Sequence, residues 1–434
     1  MASRAGSSGT SFGLPPRNKA ASPDLDAADP WGSAGGAVAD APSRGYSDPV
    51  AADEPLQPVE RAEHAAPVAR PQRALPARLT GLAPVRALAI LAAIVAVVGG
   101  VVVLLTHPLM VDLEIPLRAA ERWVHGGEPY LASSFNAPEG YGLPFLYPPP
   151  VLPLLAPLVA LPRAAVVVAW VAATVVAALF VARRLGVPWQ AVPIVLCWVP
   201  FAEGLVGGNA QVLLVAAFVA VFFDAPTGPW QPAPRDPRDS GRPAIVDGVL
   251  ATITPALKLT QPHAWAALLR RRPAAALLGL GVAAAIALGT LPLVGLGSWQ
   301  AWIAQLGRAA DPAWELRGSS LVQLLPGLLS PAATALTVVL AMFAPIRRLG
   351  AAAGLLIVLG APSLRSYGVL FLLPAMLAVR RDVALAAVIL VGTGVMPGMW
   401  AGILLVTFAF AAPARLDRLL ARITGQWSRP APAT

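Results

Sequence analysis

The chain has 434 residues, of which 56% are hydrophobic and only 13% charged, and it carries a formal charge of +9. A soluble globular domain carries about 25% charge, so composition argues against a water-soluble enzyme and for a bilayer protein. The positive excess is no nucleic-acid footprint, because it sits in short runs beside apolar blocks, as in Arg270-Arg271-Arg272, Arg347-Arg348 and Arg380-Arg381, with no interleaved aromatics.

Residues 1–80 are rich in Ala, Pro, Gly, Ser, Asp and Glu and nearly lack aromatic and β-branched side chains. Burial cannot offset the ordering entropy of such a segment, so it is expected to be a disordered cytoplasmic tail. Arg70, Arg73, Arg78 and Arg86 then lead into the first apolar block, 87–106, which runs outward. An external loop follows at 107–145, in which Ile115 to Val124 has the pattern of an interfacial helix, with Arg118, Glu121 and Arg122 opposite Leu117, Ala120 and Val124. The block 146–161 opens on Tyr147-Pro148-Pro149-Pro150, which fits a helix start or a re-entrant piece.

Further segments are expected at 164–182, 190–204 and 210–223, then a polar cytoplasmic loop at 224–243. The stretch 244–269 has arginine at both ends and predicts a discontinuous hairpin turning near Lys258 to Pro262. Segments at 274–291, 321–342, 350–361, 367–379, 383–396 and 400–413 complete the set. The whole predicts an all-α polytopic protein of about 11–13 transmembrane or re-entrant helices. Its catalytic domain spans 81–414, a short cytoplasmic tail spans 415–434, and both termini are inside. The Pro-rich block is expected to re-enter, which keeps Arg183-Arg184 inside.

This topology sends Asp, Glu, Asn, Gln, Lys and aromatic residues to the outer face: loop 107–145, Glu203 to Gln211, Lys258 to His263, loop 292–320 and Ser363 to Tyr367. Asp112, directly after the first segment, suits a base that deprotonates or orients a hydroxyl. Glu114, two residues on, would not share its helix face and is secondary. Lys258 is costly in apolar surroundings unless it snorkels or meets an anion such as a phosphate. Arg365 sits in an external turn against the inside rule and is a second anion-binding candidate. Asn209 and Gln211 suit sugar hydroxyls or an interhelical polar pair. His263 is a titratable group at a helix end, and the four histidines are too scattered for a metal motif.

In order, the chain reads Asp112-Leu113, Arg118-Ala119-Ala120, Gly127-Glu128-Pro129-Tyr130, Phe145-Leu146-Tyr147-Pro148-Pro149, Gly208-Asn209-Ala210-Gln211, Lys258-Leu259-Thr260-Gln261-Pro262, Ser298-Trp299 and Ser320-Leu321. This series, over about residues 85–414, resembles the polyprenyl-phosphate-sugar-dependent glycosyltransferases of family 87, a group that includes mycobacterial α-1,2-mannosyltransferases. The resemblance implies a GT-C-type fold and Asp112 as the catalytic acid/base residue. It also implies a polyprenyl-phosphate sugar as donor; no cofactor is expected beyond it, and the need for a divalent metal is left open. Lys258 and Arg365 would offset charge on the leaving phosphate, and Tyr147 and Tyr367 would join the donor-binding set. The lysine motif is one residue wider than in the family. The late Ser-Pro-x-Ser-Trp-x-His stretch is here Ala361-Pro362-Ser363-Leu364-Arg365-Ser366-Tyr367, with no tryptophan or histidine. Tyr367 can replace a hydrogen bond there but does not titrate near neutrality.

The expected activity is therefore transfer of mannose or another hexose or pentose to a glycolipid or polysaccharide at the outer membrane face. Membrane lipids are expected partners and nucleic acid is not. The competing readings are a secondary transporter or lipid flippase, which would show an internal repeat and a midplane site, and a non-catalytic scaffold, which would lack a polar cavity joining Asp112, Lys258 and Arg365.

Overall fold

The computed structural model describes residues 82–131, 144–238, 241–259, 261–309, 320–362 and 364–423. The tail 1–80, Thr260, Ser363, much of the first external loop, residues 310–319 and the last eleven residues lie outside the described residues.

The described residues are 77% helical, in keeping with an all-α polytopic membrane protein. The first three helices are α1 (Leu82–Thr106), α2 (Val111–Val124) and α3 (Val151–Val159). The interfacial helix of the first loop is thus present, but it begins at Val111 and takes Asp112 into its first turn. Leu117 and Ala120 face the core as expected, whereas Val124 at the helix end is exposed. Nine residues of α3 rise only about 14 Å, half of a hydrocarbon core of about 30 Å, so this Pro-rich piece does not cross alone.

Next come α4 (Arg163–Arg184), α5 (Val192–Cys197), α6 (Val199–Val206) and α7 (Gln211–Phe222). The block expected as one segment at 190–204 is broken at Trp198, and its two halves meet at 70°. Pro193 and Pro200 each occupy the first turn of a half, where a missing N–H costs nothing. The polar loop after α7 holds a short antiparallel hairpin, β1 (Phe223–Gly228) and β2 (Gln231–Pro234). The discontinuous hairpin is present as α8 (Ala244–Leu257) and α9 (His263–Arg271). Pro255 and Pro262 bracket the break.

The chain continues through α10 (Pro273–Ala309), α11 (Leu329–Phe343), α12 (Leu349–Gly360), α13 (Leu373–Leu377), α14 (Arg381–Gly392), α15 (Met396–Ala411) and α16 (Pro413–Ile423). Helix α10 absorbs both the segment expected at 274–291 and the start of the loop expected at 292–320, with one non-helical residue at Gly295. Gly248 on α8 and Gly279 on α10 let these two helices touch backbone to backbone, a contact that any Cβ would obstruct.

Among the described residues three stretches are by themselves long and apolar enough to cross a bilayer, Pro84–Val124, Arg163–Arg184 and Pro273–Arg308, and two bent pairs raise this to five. Several of the remaining apolar helices, α7, α8 and α11 among them, have 10–17 residues. The centre of the bundle is aromatic: Phe218 packs on Phe222 and, edge to face, on Phe371.

The two ends of α7 differ sharply. At its C-terminal end Arg184 donates to Phe223 O at 2.7 Å and Arg242 to Ala220 O at 2.8 Å. Arg271 likewise caps α11 through Ala344 O at 2.7 Å, and Arg348 caps α15 through Phe410 O at 3.3 Å. Guanidinium groups here satisfy terminal carbonyls and oppose the negative ends of helix dipoles. Fully buried Asp247 pairs with Arg272 at 2.7 Å, with Arg242 at 3.9 Å and Arg235 at 4.0 Å around it.

Candidate functional site

The N-terminal end of α7 carries a different chemistry. Helix α6 delivers its last carbonyls to the start of α2: Met110 N–H donates to Val206 O and Asp112 N–H to Gly207 O, both at 2.8 Å. Two orphan donors of the α2 N-terminus are thereby satisfied. Met110 adopts a left-handed conformation (φ 57°), a strained choice for a side-chain-bearing residue, two residues before Asp112. Gly208 (φ +71°) lies against Met110 and Leu113, where a Cβ would be only 2.9 Å from Met110 Sδ. The Gly208-Asn209 turn can therefore press onto α2 only as glycine.

Asn209 joins the polar groups. Its Nδ2 donates to Asp112 Oδ2 at 2.8 Å. Its Oδ1 accepts from Gln211 N–H at 2.8 Å, an Asx-type bond that starts α7, and from Lys258 Nζ at 3.4 Å. Lys258 Nζ also donates to Gln211 Oε1 at 2.6 Å, and Gln211 Nε2 reaches Gln261 Oε1 at 3.3 Å. The lysine ammonium stands 5.3 Å from the Tyr367 ring centre, within cation–π range. Three separate segments therefore meet: the start of α2, the start of α7, and the break between α8 and α9. That break supplies Lys258 because Lys258 ends α8 with its own N–H on Thr254 O.

Burial divides this cluster into two shells. Asn209, Gln211 and Gln261 are buried, whereas Asp112, Glu203, Lys258, Arg365 and Tyr367 keep partial access. The amides form a fixed backing and the ionisable heads point from it. The Asn209 amide is oriented between opposite charges, its NH₂ on the carboxylate and its oxygen toward the ammonium. Tyr147, Glu203, Lys258 and Tyr367 all lie within Coulombic reach of Asp112, and Arg365 lies within reach of Glu203 and Tyr367.

The Tyr147 segment forms an adjoining wall. Tyr130 OH donates to Tyr147 O at 2.8 Å, joining the Gly-Glu-Pro-Tyr and Tyr-Pro-Pro stretches. Trp302 Nε1 donates to Leu146 O at 3.0 Å from α10. Arg122 holds the intervening turn through Pro129 O at 3.0 Å and Glu128 O at 3.2 Å.

Two sequence candidates are placed elsewhere. Glu114 forms ion pairs with Arg118 at 2.8 Å and Arg163 at 2.9 Å, on a different face of α2 from Asp112. His263 is fully buried, with Nε2 3.0 Å from Thr337 Oγ1 between α9 and α11. Two hollows lie at the arginine-rich end, and neither is lined by the Asp112 cluster. Glu203, Gln261 and Trp302 were not singled out from sequence. An acid inside an apolar block was the available signal for Glu203. Nothing local marked the other two.

Residues 145–332 match the family model described as glycosyltransferase family 87. This is the family that the motifs resemble. The matched segment contains Tyr147, Asn209, Gln211, Lys258 and His263, while Asp112, Arg365 and Tyr367 lie outside it. No curated protein and no solved structure matches the chain.

Proposed function

Taking the chain as a family 87 glycosyltransferase, the family matched by its residues 145–332, we propose that it moves a sugar from a polyprenyl-phosphate donor to a glycolipid or polysaccharide at the membrane surface. The observation that carries this reading is the Asp112–Asn209–Lys258 chain, which sets a carboxylate and an ammonium a single amide apart.

In this scheme Asp112 takes the proton of an acceptor hydroxyl. The acceptor oxygen bonds the anomeric carbon as the bond from that carbon to the phosphate oxygen breaks, and the lipid phosphate leaves with the electron pair. Lys258 and Arg365 meet the charge that grows on the phosphate. Asn209 and Gln211 hold the two reactive heads in place: the Asn209 amide engages Asp112, Lys258 and the Gln211 backbone N–H, and the Gln211 amide engages Lys258 and Gln261. Tyr147 and Tyr367 flank the sugar, a role that suits rings which offer both an apolar face and a hydroxyl. Glu203 lies within Coulombic reach of both Asp112 and Arg365 and would share in the field around the phosphate. We place this reaction on the extracytoplasmic side, because the arginine-rich end of the helices fits the inner leaflet.

The test is a transfer assay in membranes with radiolabelled polyprenyl-phosphate sugars. The parent should pass label to an endogenous acceptor and Asp112→Asn should not. Label that crosses the bilayer without changing carrier would favour transport instead. Equal transfer by both proteins would remove Asp112 as base.

A further inference from the structure

At the end of α7 and α12 remote from Asp112, a hollow of about 250 Å³ opens between the β1–β2 hairpin and the starts of α12 and α13. Its polar rim holds Arg347, Arg348 and Gln231, and its apolar wall includes Trp230, Pro374 and Leu377. The reaction scheme uses none of these residues.

Three observations bear on an occupant. First, the arginines are exposed and uncompensated. Among the described residues no carboxylate pairs with Arg347 or Arg348, although neighbouring arginines are matched: Arg272 with Asp247, Arg380 with Asp382 and Asp417, Arg184 with Asp224. Arg348 has only the Phe410 carbonyl at 3.3 Å and the Phe410 ring at 5.4 Å. Second, Trp230 has φ 59°, a strained conformation for a non-glycine residue, held by its N–H on Gly186 O at 2.6 Å. Its ring is left partly exposed at the hollow. Third, the hollow sits where apolar helices end. α12 begins at Leu349, directly after the arginine pair, and its Ala351 lines the wall.

Two arginines without a carboxylate partner, an indole and an apolar wall where apolar helices end are complementary to a phosphodiester with hydrocarbon attached. We propose that this hollow is a binding site for the headgroup of an anionic phospholipid. The phosphate lies between Arg347 and Arg348, the glycerol lies against Trp230, and the acyl chains run down the outside of the helices. The site stands or falls independently of the glycosyl-transfer reading.

The experiment uses the full chain, purified and delipidated in detergent. Phosphatidylglycerol and phosphatidylcholine with identical acyl chains are added in equal amounts, and retained lipid is read by native mass spectrometry. The parent should retain phosphatidylglycerol over phosphatidylcholine by about thirtyfold, the scale of two arginines beside an anionic headgroup. Arg347→Gln with Arg348→Gln should abolish that preference. Arg418→Gln, an exposed arginine on α16 outside the hollow, should leave it unchanged. Equal retention of the two lipids by the parent overturns the proposal. So does an equal loss in Arg418→Gln, which would mean diffuse surface attraction. Displacement of phosphatidylglycerol by millimolar inorganic phosphate would overturn it too, making the site one for free phosphate.

Discussion

The two ends of α7 solve the same problem with opposite chemistry. At the end near Phe222, arginines and carboxylates neutralise one another and cap helix carbonyls, so charge is spent on architecture. At the end near Gln211, neutral amides do the structural bonding and the charges are separated by them. A carboxylate locked to a guanidinium is poorly placed to accept a proton. One held by a single amide is not so constrained. The comparison therefore separates a closed ionic brace from a cluster whose opposite charges are held apart by amides, without reference to any relative.

Substitutions can break or sharpen that contrast. The largest effect is expected at Asp112: replaced by asparagine, transfer should fall by about 10²–10⁴-fold, the usual contribution of a positioned base. Its thermal midpoint in detergent should stay near that of the parent. Asp247→Asn should do the reverse. It leaves Arg235, Arg242 and Arg272 without their buried anion, costing about 3–5 kcal/mol of stability, while turnover per folded molecule holds. Thermal unfolding alongside the transfer assay would show this, and lost turnover without lost stability would erase the distinction. Asn209→Ala should act on both readouts, because it strips a partner from Asp112 and from Lys258. A loss of about 1–3 kcal/mol is expected from the unsatisfied neighbours, with a measurable drop in donor use. The smallest effect belongs to Glu114→Gln. Its partners Arg118 and Arg163 are solvent-accessible, so about 0.2–1 kcal/mol should be lost and transfer should be untouched. A large loss of transfer there would mean that the wrong carboxylate of α2 was chosen.

Much of the Asp112–Asn209–Lys258 cluster was legible because its parts sit in short stretches at the ends of apolar blocks. Asp112 and Glu114 were separated correctly by helical geometry alone, and they do face different partners. The break at Lys258 was readable from arginines at both ends of one apolar stretch. Gln261 was not, since its role depends on Gln211 fifty residues away. Trp302 was invisible for a related reason: its bond to Leu146 spans 156 positions. His263 misled because a helix-end histidine looks the same in sequence whether it faces a cleft or a threonine. Helix lengths were the weakest part. Apolar runs count hydrophobic residues, but Trp198 ends one helix and starts the next inside such a run, and α10 runs on past its apolar part through Ser298 and Gln300. The β1–β2 hairpin replaced an expected featureless loop, where Trp230 and Gly228 shape the turn.

The way Asn209 grips Asp112 has one last implication. The amide holds Oδ2 alone, and Oδ1 has no hydrogen bond among the described residues. An N–H donor is satisfied by the oxygen of a neutral carboxyl group as well as by that of an ionised one. Oδ1 of Asp112 is thus left to a partner from outside the cluster, while Oδ2 keeps the side chain tied to the start of α7.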